Sequence, residues 1–393
     1  MNRKDIVLLS TADWDNPFWT NKQHMAVELV NRGHRVFYVD SLGLRRPSAS
    51  TQDLARIVRR LRKAASQARE VHSGLWVWSP ATLPFQGSQA VRSINRTALS
   101  QMLALQLRRL GFKRELLWTY NPMTTDLLGT DAFETIVYHC VDDISSQPGM
   151  PAEALVQAEE RLVRRADIVF TTSPRLSETR GGWNNNTHFL PNVADFQHFS
   201  KALNDSLPVP DDLACLPGPR IGFHGALSGY KVDFPLIRTV AERHPEWSIV
   251  LIGKVGEGDP WTDPDALSGF SNLHVLGPRP YETLPAYLKG FDAVMLPNVL
   301  NDYTASMFPM KFFEYLAAGK PVVSVDLPAI RGFSHVSTLC RSTDEFVAAL
   351  ETAVAGGGPA LETRLQEARE HTYQARTDRM IELLGSAVRE EAA

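Results

Sequence analysis

The stretch FPMKFFEYLAAGKPVVSVD, residues 308–326, predicts a short helix followed at once by a buried strand. Pro309 suits the first turn of a helix, where its missing N–H costs nothing, and Gly319 suits the position just past the end. The spacing predicts a helix of about ten residues. The apolar run Val322–Val325 then predicts a parallel strand buried on both faces. Such a helix–strand unit is typical of α/β domains.

Two charged residues inside this helix need an explanation. Lys311 lies in the first turn, where the helix dipole favours anions and disfavours a cation unless an anion is bound. Glu314 follows three residues later on the same face, where a carboxylate can accept hydrogen bonds from sugar hydroxyls. The pattern indicates either a site for a phosphate and a sugar or a surface ion pair.

The pattern P-x-K-x-x-E-Y-L-A-A-G-K-P-V-V at residues 309–323 resembles the nucleotide-binding helix of GT-B-fold glycosyltransferases. The resemblance is strongest to family-four-like enzymes such as teichuronic-acid glycosyltransferases. It implies that Lys311 holds the donor diphosphate, that Glu314 binds the nucleotide ribose, and that Ser306 and Met307 lie on the donor side. Many members have a second glutamate where this chain has Ser306.

The length and composition predict two domains in a soluble globular protein. A chain of 393 residues is too long for one ordinary core. We expect an N-terminal Rossmann-like acceptor domain at residues 1–200, a proline-rich linker at 201–219 and a C-terminal Rossmann-like donor domain at 220–371. The resemblance implies that the two face a cleft, as in the GT-B fold, and that a closing helix at about residues 372–393 crosses back onto the first domain. The sequence predicts one long helical stretch at residues 361–388.

The N-terminal apolar run is too short for a signal peptide or a membrane span, so we expect a cytoplasmic enzyme. The three cysteines lie far apart, which argues against a disulfide framework or a zinc site.

The net charge of −3 hides an asymmetry. Residues 41–115 carry 14 basic and 3 acidic side chains. Residues 53–71 alternate basic and apolar residues, which predicts an amphipathic helix that is either a solvated face or a membrane-docking surface. An anionic membrane on the inner face of the plasma membrane is a candidate partner, whereas no nucleic-acid-binding motif is present.

Residues after the first predicted strands are candidates for the acceptor side. The loop TADWDNPFWTNKQH contains Trp14 and Trp19, which either stack on a sugar or lipid or pack on their own domain. The segment LLWTYNP, with Asn121, resembles a stretch near the acceptor site of the same enzymes.

Asp142 and Asp143 follow the predicted strand Thr135–Cys140 as an adjacent acidic pair. Like charges this close raise the pKa of one carboxyl group, as a general base for a hydroxyl requires, although such a pair also caps helices. The resemblance to xanthan-type glucuronosyltransferases implies that one of the two is the catalytic base.

Further donor-side candidates follow from the C-terminal half. Gly225, in IGFHGALSGYKVDF, permits close backbone approach to a phosphate, and Lys231 adds a positive charge. The segment PRPYETL resembles the family's loop that holds the nucleotide base, which implies roles for Arg279 and Tyr281.

These observations predict a metal-independent hexosyltransferase without a cofactor, which moves a sugar from a UDP-sugar to a hydroxyl of a glycan or lipid-linked acceptor. Two alternatives remain at this point. A UDP-sugar 2-epimerase has the same architecture, and a non-catalytic glycosyltransferase-like partner protein would have the same fold.

Overall fold

The computed structural model describes residues 3–16, 19–42, 67–80, 82, 89–257, 259 and 261–391. The chain divides into two compact units. The first consists of Met1–Leu190 together with Arg376–Ala393, and the second consists of Pro191–Ala375.

The first unit is built on a mostly parallel sheet. Its strands are β1 (Asp5–Leu9), β2 (Arg35–Val39), β3 (Arg69–His72), β4 (Leu75–Trp78), β5 (Leu116–Thr119), β6 (Thr135–Cys140), β7 (Ile168–Thr171) and β8 (Thr187–Phe189). Within the described ranges their order is β3-β4-β2-β1-β5-β6-β7-β8, and β3 is antiparallel to β4. The strand order reverses between β1 and β5. Ligands of open α/β sheets bind beside the carboxyl ends of strands at such a point.

The second unit is built on a parallel sheet of its own. Its strands are β9 (Arg220–His224), β10 (Ser248–Ile252), β11 (Leu273–Val275), β12 (Ala293–Leu296), β13 (Val322–Val325) and β14 (Thr338–Cys340). In the part of the chain that is described, their order is β11-β10-β9-β12-β13-β14. This is the Rossmann order, and it reverses between β9 and β12.

Helices cover both faces of each sheet. They are α1 (Asn21–Asn31), α2 (Gln89–Leu110), α3 (Thr124–Leu127), α4 (Ala152–Arg165), α5 (Pro174–Gly181), α6 (Phe196–Phe199), α7 (Asp211–Ala214), α8 (Phe234–Arg243), α9 (Leu284–Lys289), α10 (Asp302–Ala305), α11 (Lys311–Ala317), α12 (Thr343–Val354), α13 (Leu361–Glu370) and α14 (Tyr373–Glu391). In the first unit, α2 and α4 pack on one face of the sheet, and α1 and α14 pack on the other. In the second unit, α9 and α11 share one core and α8 and α12 share the other. Because both faces are buried, the central strands are continuous apolar runs.

Residues 308–326 fold largely as predicted. The strand Val322–Val325 is confirmed, and Gly319 has a φ of +72°. A Cβ at Gly319 would lie 2.7 Å from Leu203 Cδ2, so both backbone conformation and space favour glycine there. The helix itself is shorter than predicted, since it begins at Lys311 and spans seven residues.

Two other helix predictions are wrong in part. The predicted basic helix at residues 53–71 cannot extend to its C-terminal end, because Arg69–His72 forms β3 and turns through Gly74, at a φ of +86°, into β4. The rest of that prediction, up to residue 66, lies outside the described residues. The stretch at residues 361–388 is two helices, α13 and α14, separated at His371 and Thr372.

The proline-rich segment at residues 201–219 belongs to the second unit. Ala202 and Leu213 are buried in the same core as α9 and α11. No helix in the described ranges is long and apolar enough to cross a lipid bilayer.

Candidate active site

The predicted donor-side residues Gly225 and Lys311 meet where β9 ends at the carboxyl edge of the second sheet. Gly225 follows β9 directly and has a φ of +131°, which disfavours residues with a side chain. A Cβ on Gly225 would lie 2.8 Å from Lys311 Cε and 3.0 Å from Lys311 Nζ. The lysine side chain therefore occupies the space that a residue other than glycine would fill.

A second glycine brings the neighbouring strand end against the first. Gly253 follows β10, and a Cβ there would lie 1.9 Å from the carbonyl oxygen of Gly225. The Gly225 N–H in turn donates to the carbonyl oxygen of Ile252 at 2.8 Å. The ends of β9 and β10 therefore contact each other directly through their backbones, with no side chain between them.

The Lys311 ammonium has no carboxylate or hydrogen-bond partner among the described residues. Its Nζ lies 5.2 Å from the centroid of the Phe223 ring. Burial lowers the pKa of Lys311 to about 8, while nearby Glu314 opposes the shift and Lys231 adds to it. A bound anion would provide the partner that this cation lacks.

Glu314 lies beside this lysine and is fixed by a histidine. Its Oε2 is 2.7 Å from Nε2 of His224, and both residues are more than nine-tenths buried. The backbone N–H of His224 donates to the Tyr315 hydroxyl at 3.0 Å. In the described part of the chain, the other carboxylate oxygen, Oε1, accepts no hydrogen bond. Glu314 thus has one oxygen available for a ligand.

Two more donor-side candidates, Lys231 and Tyr281, lie at loops of the same unit. The Lys231 Nζ is 5.1 Å from the ring centroids of both Tyr230 and Tyr303. Tyr281 stacks on His198 with ring centroids 4.2 Å apart, and burial raises the pKa of its hydroxyl.

Ser306 and Met307 form the turn after α10. Ser306 is buried, and its N–H donates to the Tyr303 carbonyl oxygen. Met307 donates its N–H to the Thr304 carbonyl oxygen at 3.2 Å.

Arg279, predicted to lie beside the base, is held by other side chains of the unit. Its Nη2 is 2.6 Å from Asp212 Oδ2, and its Nε is 2.7 Å from the Tyr287 hydroxyl. These contacts connect the loop after β11 to α7 and α9. The guanidinium therefore has partners other than a ligand.

In the first unit, the acidic pair follows β6, as predicted. Asp143 accepts hydrogen bonds from the hydroxyls of Ser145 and Ser146 within its own loop. Arg180 Nη2 lies 3.7 Å from Asp143 Oδ1. Asp142, the preceding residue, is half-buried.

The acceptor-side candidates of the first unit lie near other strand ends. Trp14 and Trp19 are half-buried, and their ring centroids are 5.2 Å apart. The ring centroids of Trp14 and Tyr38 are also 5.2 Å apart. Asn121 follows β5, is buried, and accepts a hydrogen bond from the Met123 N–H at 2.9 Å.

His224 is the residue that the sequence analysis missed. Its partner Glu314 is 90 positions away along the chain, so no local spacing links the two. The available signal was its position directly before Gly225.

Gly225→Ala is expected to weaken binding of UDP by at least about 10-fold, because the new Cβ would displace the Lys311 side chain. Gly269→Ala is the matched control, since Gly269 also has a positive φ but a Cβ there would meet nothing within 4 Å. Calorimetric titration with UDP compares the two. Equal affinities in the two variants would mean that Gly225 matters only for backbone strain.

Comparison with known proteins agrees with this architecture. Residues 218–356 match the family model described as "Glycosyl transferases group 1". The chain is 25% identical over 351 residues to TuaH of Bacillus subtilis (strain 168), which is assigned as a teichuronic acid biosynthesis glycosyltransferase. The match covers 82% of this chain and 81% of TuaH.

Solved structures show the same fold at low sequence identity. Sucrose-phosphate synthase from Thermosynechococcus elongatus superposes with a TM-score of 0.69 at 14% identity, over 99% of this chain and 100% of the other. HepE from Anabaena, in complex with UDP, superposes with a TM-score of 0.65 at 14% identity, over 98% of this chain and 100% of HepE. The predicted fold class is confirmed. The chain has two Rossmann-like domains of the GT-B type and resembles teichuronic-acid glycosyltransferases, and its second unit matches the glycosyltransferase group 1 family.

Proposed function

We propose that this protein transfers a sugar from a UDP-sugar to a hydroxyl of an acceptor glycan in the synthesis of a polysaccharide or cell-surface glycan. The main supporting observation is the position of the Lys311 ammonium. It lies over Gly225, has no carboxylate or hydrogen-bond partner among the described residues, and is close to a glutamate with one open oxygen. The assignment of TuaH to teichuronic acid synthesis and the UDP in the HepE complex support the substrate class.

The chemistry follows from where negative charge develops. When the bond from the anomeric carbon to the diphosphate breaks, the leaving UDP gains charge, and a positioned cation stabilises that transition state. We assign this role to Lys311, with Lys231 nearby. Because these lysines supply positive charge, we propose that transfer needs neither a metal ion nor another cofactor.

The acceptor side is proposed on sequence grounds. We assign Asn121, Trp14 and Trp19 to it, and we propose a glycan or lipid-linked acceptor at the inner face of the plasma membrane. The basic stretch at residues 41–115 is the proposed contact with anionic lipid. Most of the predicted helix within it lies outside the described residues.

Glu314→Ala is expected to weaken UDP binding about 10-fold and to leave binding of inorganic pyrophosphate unchanged, because the carboxylate would contact a sugar hydroxyl and not the phosphates. Calorimetric titration of each ligand makes the comparison. Glu242→Ala, on the exposed side of α8, is the matched control. Unchanged UDP affinity in Glu314→Ala would refute the assignment.

Product analysis distinguishes the alternatives. A transferase releases UDP only when an acceptor is present. A 2-epimerase converts the UDP-sugar without one, and a non-catalytic protein binds UDP without turnover.

A further inference from the structure

We propose that His224 is a positioning residue for the donor site, which holds Glu314 in its ligand-binding orientation by donating a hydrogen bond from Nε2. The inference rests on the proposed function, since it assigns to His224 a role in binding the nucleotide through Glu314. His224 touches no ligand in this scheme.

The direction of the hydrogen bond follows from the chemistry of its two groups. An ionised carboxylate only accepts, so the hydrogen in the 2.7 Å contact belongs to Nε2 of His224. The other ring nitrogen, Nδ1, is buried and has no hydrogen-bond partner among the described residues. The neutral ring with its hydrogen on Nε2 is the form that leaves no buried N–H without an acceptor.

Tyr315 contacts both the backbone and the ring of His224. The backbone N–H of His224 donates to the Tyr315 hydroxyl, and the Tyr315 ring meets the imidazole edge-on, with centroids 5.0 Å apart. Tyr315 and Glu314 are adjacent on α11, so this helix supplies both the carboxylate and the group that fixes its partner. The imidazole is therefore a rigid donor.

The consequence concerns the second carboxylate oxygen. Because Oε2 is bound to His224, the Glu314 side chain is ordered before a ligand arrives, and Oε1 remains the open acceptor. A ligand hydroxyl would then bind without the entropic cost of ordering a free glutamate. Without His224, the carboxylate would have to be ordered during binding.

Titration of two histidine variants with UDP and inorganic pyrophosphate tests this role. His224→Phe retains a ring but removes the donor, and we expect UDP to bind about 10-fold more weakly while pyrophosphate affinity stays unchanged. His224→Gln supplies a side-chain N–H again and is expected to recover affinity to within about 3-fold of the unaltered protein. In the double variant His224→Phe/Glu314→Ala, UDP should bind no more weakly than in Glu314→Ala alone.

The matched control is His371→Phe, because His371 stacks on Phe313 of the same helix at 4.3 Å but does not touch Glu314. Equal weakening of UDP and pyrophosphate, or no recovery in His224→Gln, would overturn the positioning role. If Glu314→Ala weakens UDP binding but His224→Phe does not, only this inference fails. If neither variant changes UDP binding, the proposed donor site fails as well.

A measurement on the unaltered sequence covers the case in which His224→Phe does not fold. In protein labelled with nitrogen-15 at histidine, the His224 signals, assigned by comparison with His224→Gln, should show a hydrogen on Nε2 and none on Nδ1. UDP should shift the Nε2 signal, whereas pyrophosphate should not. A hydrogen on Nδ1 alone, or equal shifts with both ligands, would contradict the proposal.

Discussion

UDP is expected to bind Lys311→Ala about 10- to 100-fold more weakly than the unaltered protein, since a hydrogen bond to a charged group contributes roughly 1.5–3 kcal/mol. This expected effect rests on the observation that the ammonium has no carboxylate or hydrogen-bond partner among the described residues. Lys201→Ala, at an exposed lysine of the same unit, is the matched control. Calorimetric titration with UDP gives both affinities. Wild-type affinity in Lys311→Ala would remove the main support for the donor site.

The same lysine predicts a dependence on pH. Burial lowers the pKa of free Lys311 to about 8, and a bound diphosphate raises that pKa because it stabilises the ammonium. Affinity should therefore be fully present below about pH 8 and should fall above it, by at most about 10-fold per pH unit, until the pKa of the bound state is reached.

Lys311→Arg separates this effect from the titration of other groups. Arginine stays charged throughout this range, so UDP affinity in Lys311→Arg should not fall above pH 8. Titrations at pH 7, 8 and 9 suffice for the comparison. A decline of the same size in Lys311→Arg would assign the pH dependence to another group.

Strands and helices that have a clear local sequence pattern could be predicted from the sequence alone. The strands Thr135–Cys140 and Val322–Val325 have the predicted bounds, because each is a largely apolar run flanked by turn-forming or polar residues. The C-terminal helices show the limit of this reasoning. Their helical pattern continues across His371 and Thr372, where contacts with Ala194 replace it. Such a long-range pairing leaves no periodic signal.

In the candidate donor site, too, local sequence predicts some features, whereas contacts between distant residues leave no signal. Lys311 and Glu314 were predicted because they share one short motif. Local spacing could not show that His224 holds Glu314, or that Arg279 pairs with Asp212 at a separation of 67 residues. The first contact arises at the carboxyl edge of a parallel sheet, where His224 ends β9, and the second connects the loop after β11 to α7. The sequence alone predicts which residue types lie at that edge but not their pairing.

Asp142→Asn is expected to reduce turnover by about 100-fold or more and to leave UDP affinity unchanged, the usual effect of losing a general base. The hydroxyls of Ser145 and Ser146 donate to the Asp143 carboxylate and tie it to its own loop. Asp143→Asn should therefore affect the stability of its loop more than the rate. Asp131→Asn, at an exposed position of the same unit, is the matched control.

Steady-state rates with saturating UDP-sugar, together with UDP titrations, separate these effects, because a base acts on the rate and not on donor binding. Stereochemistry provides an independent check. Inversion at the anomeric carbon requires a base for the acceptor hydroxyl and would support Asp142. Retention would instead favour proton transfer to the leaving phosphate. Full activity in both Asp142→Asn and Asp143→Asn would mean that the acidic pair has a structural role.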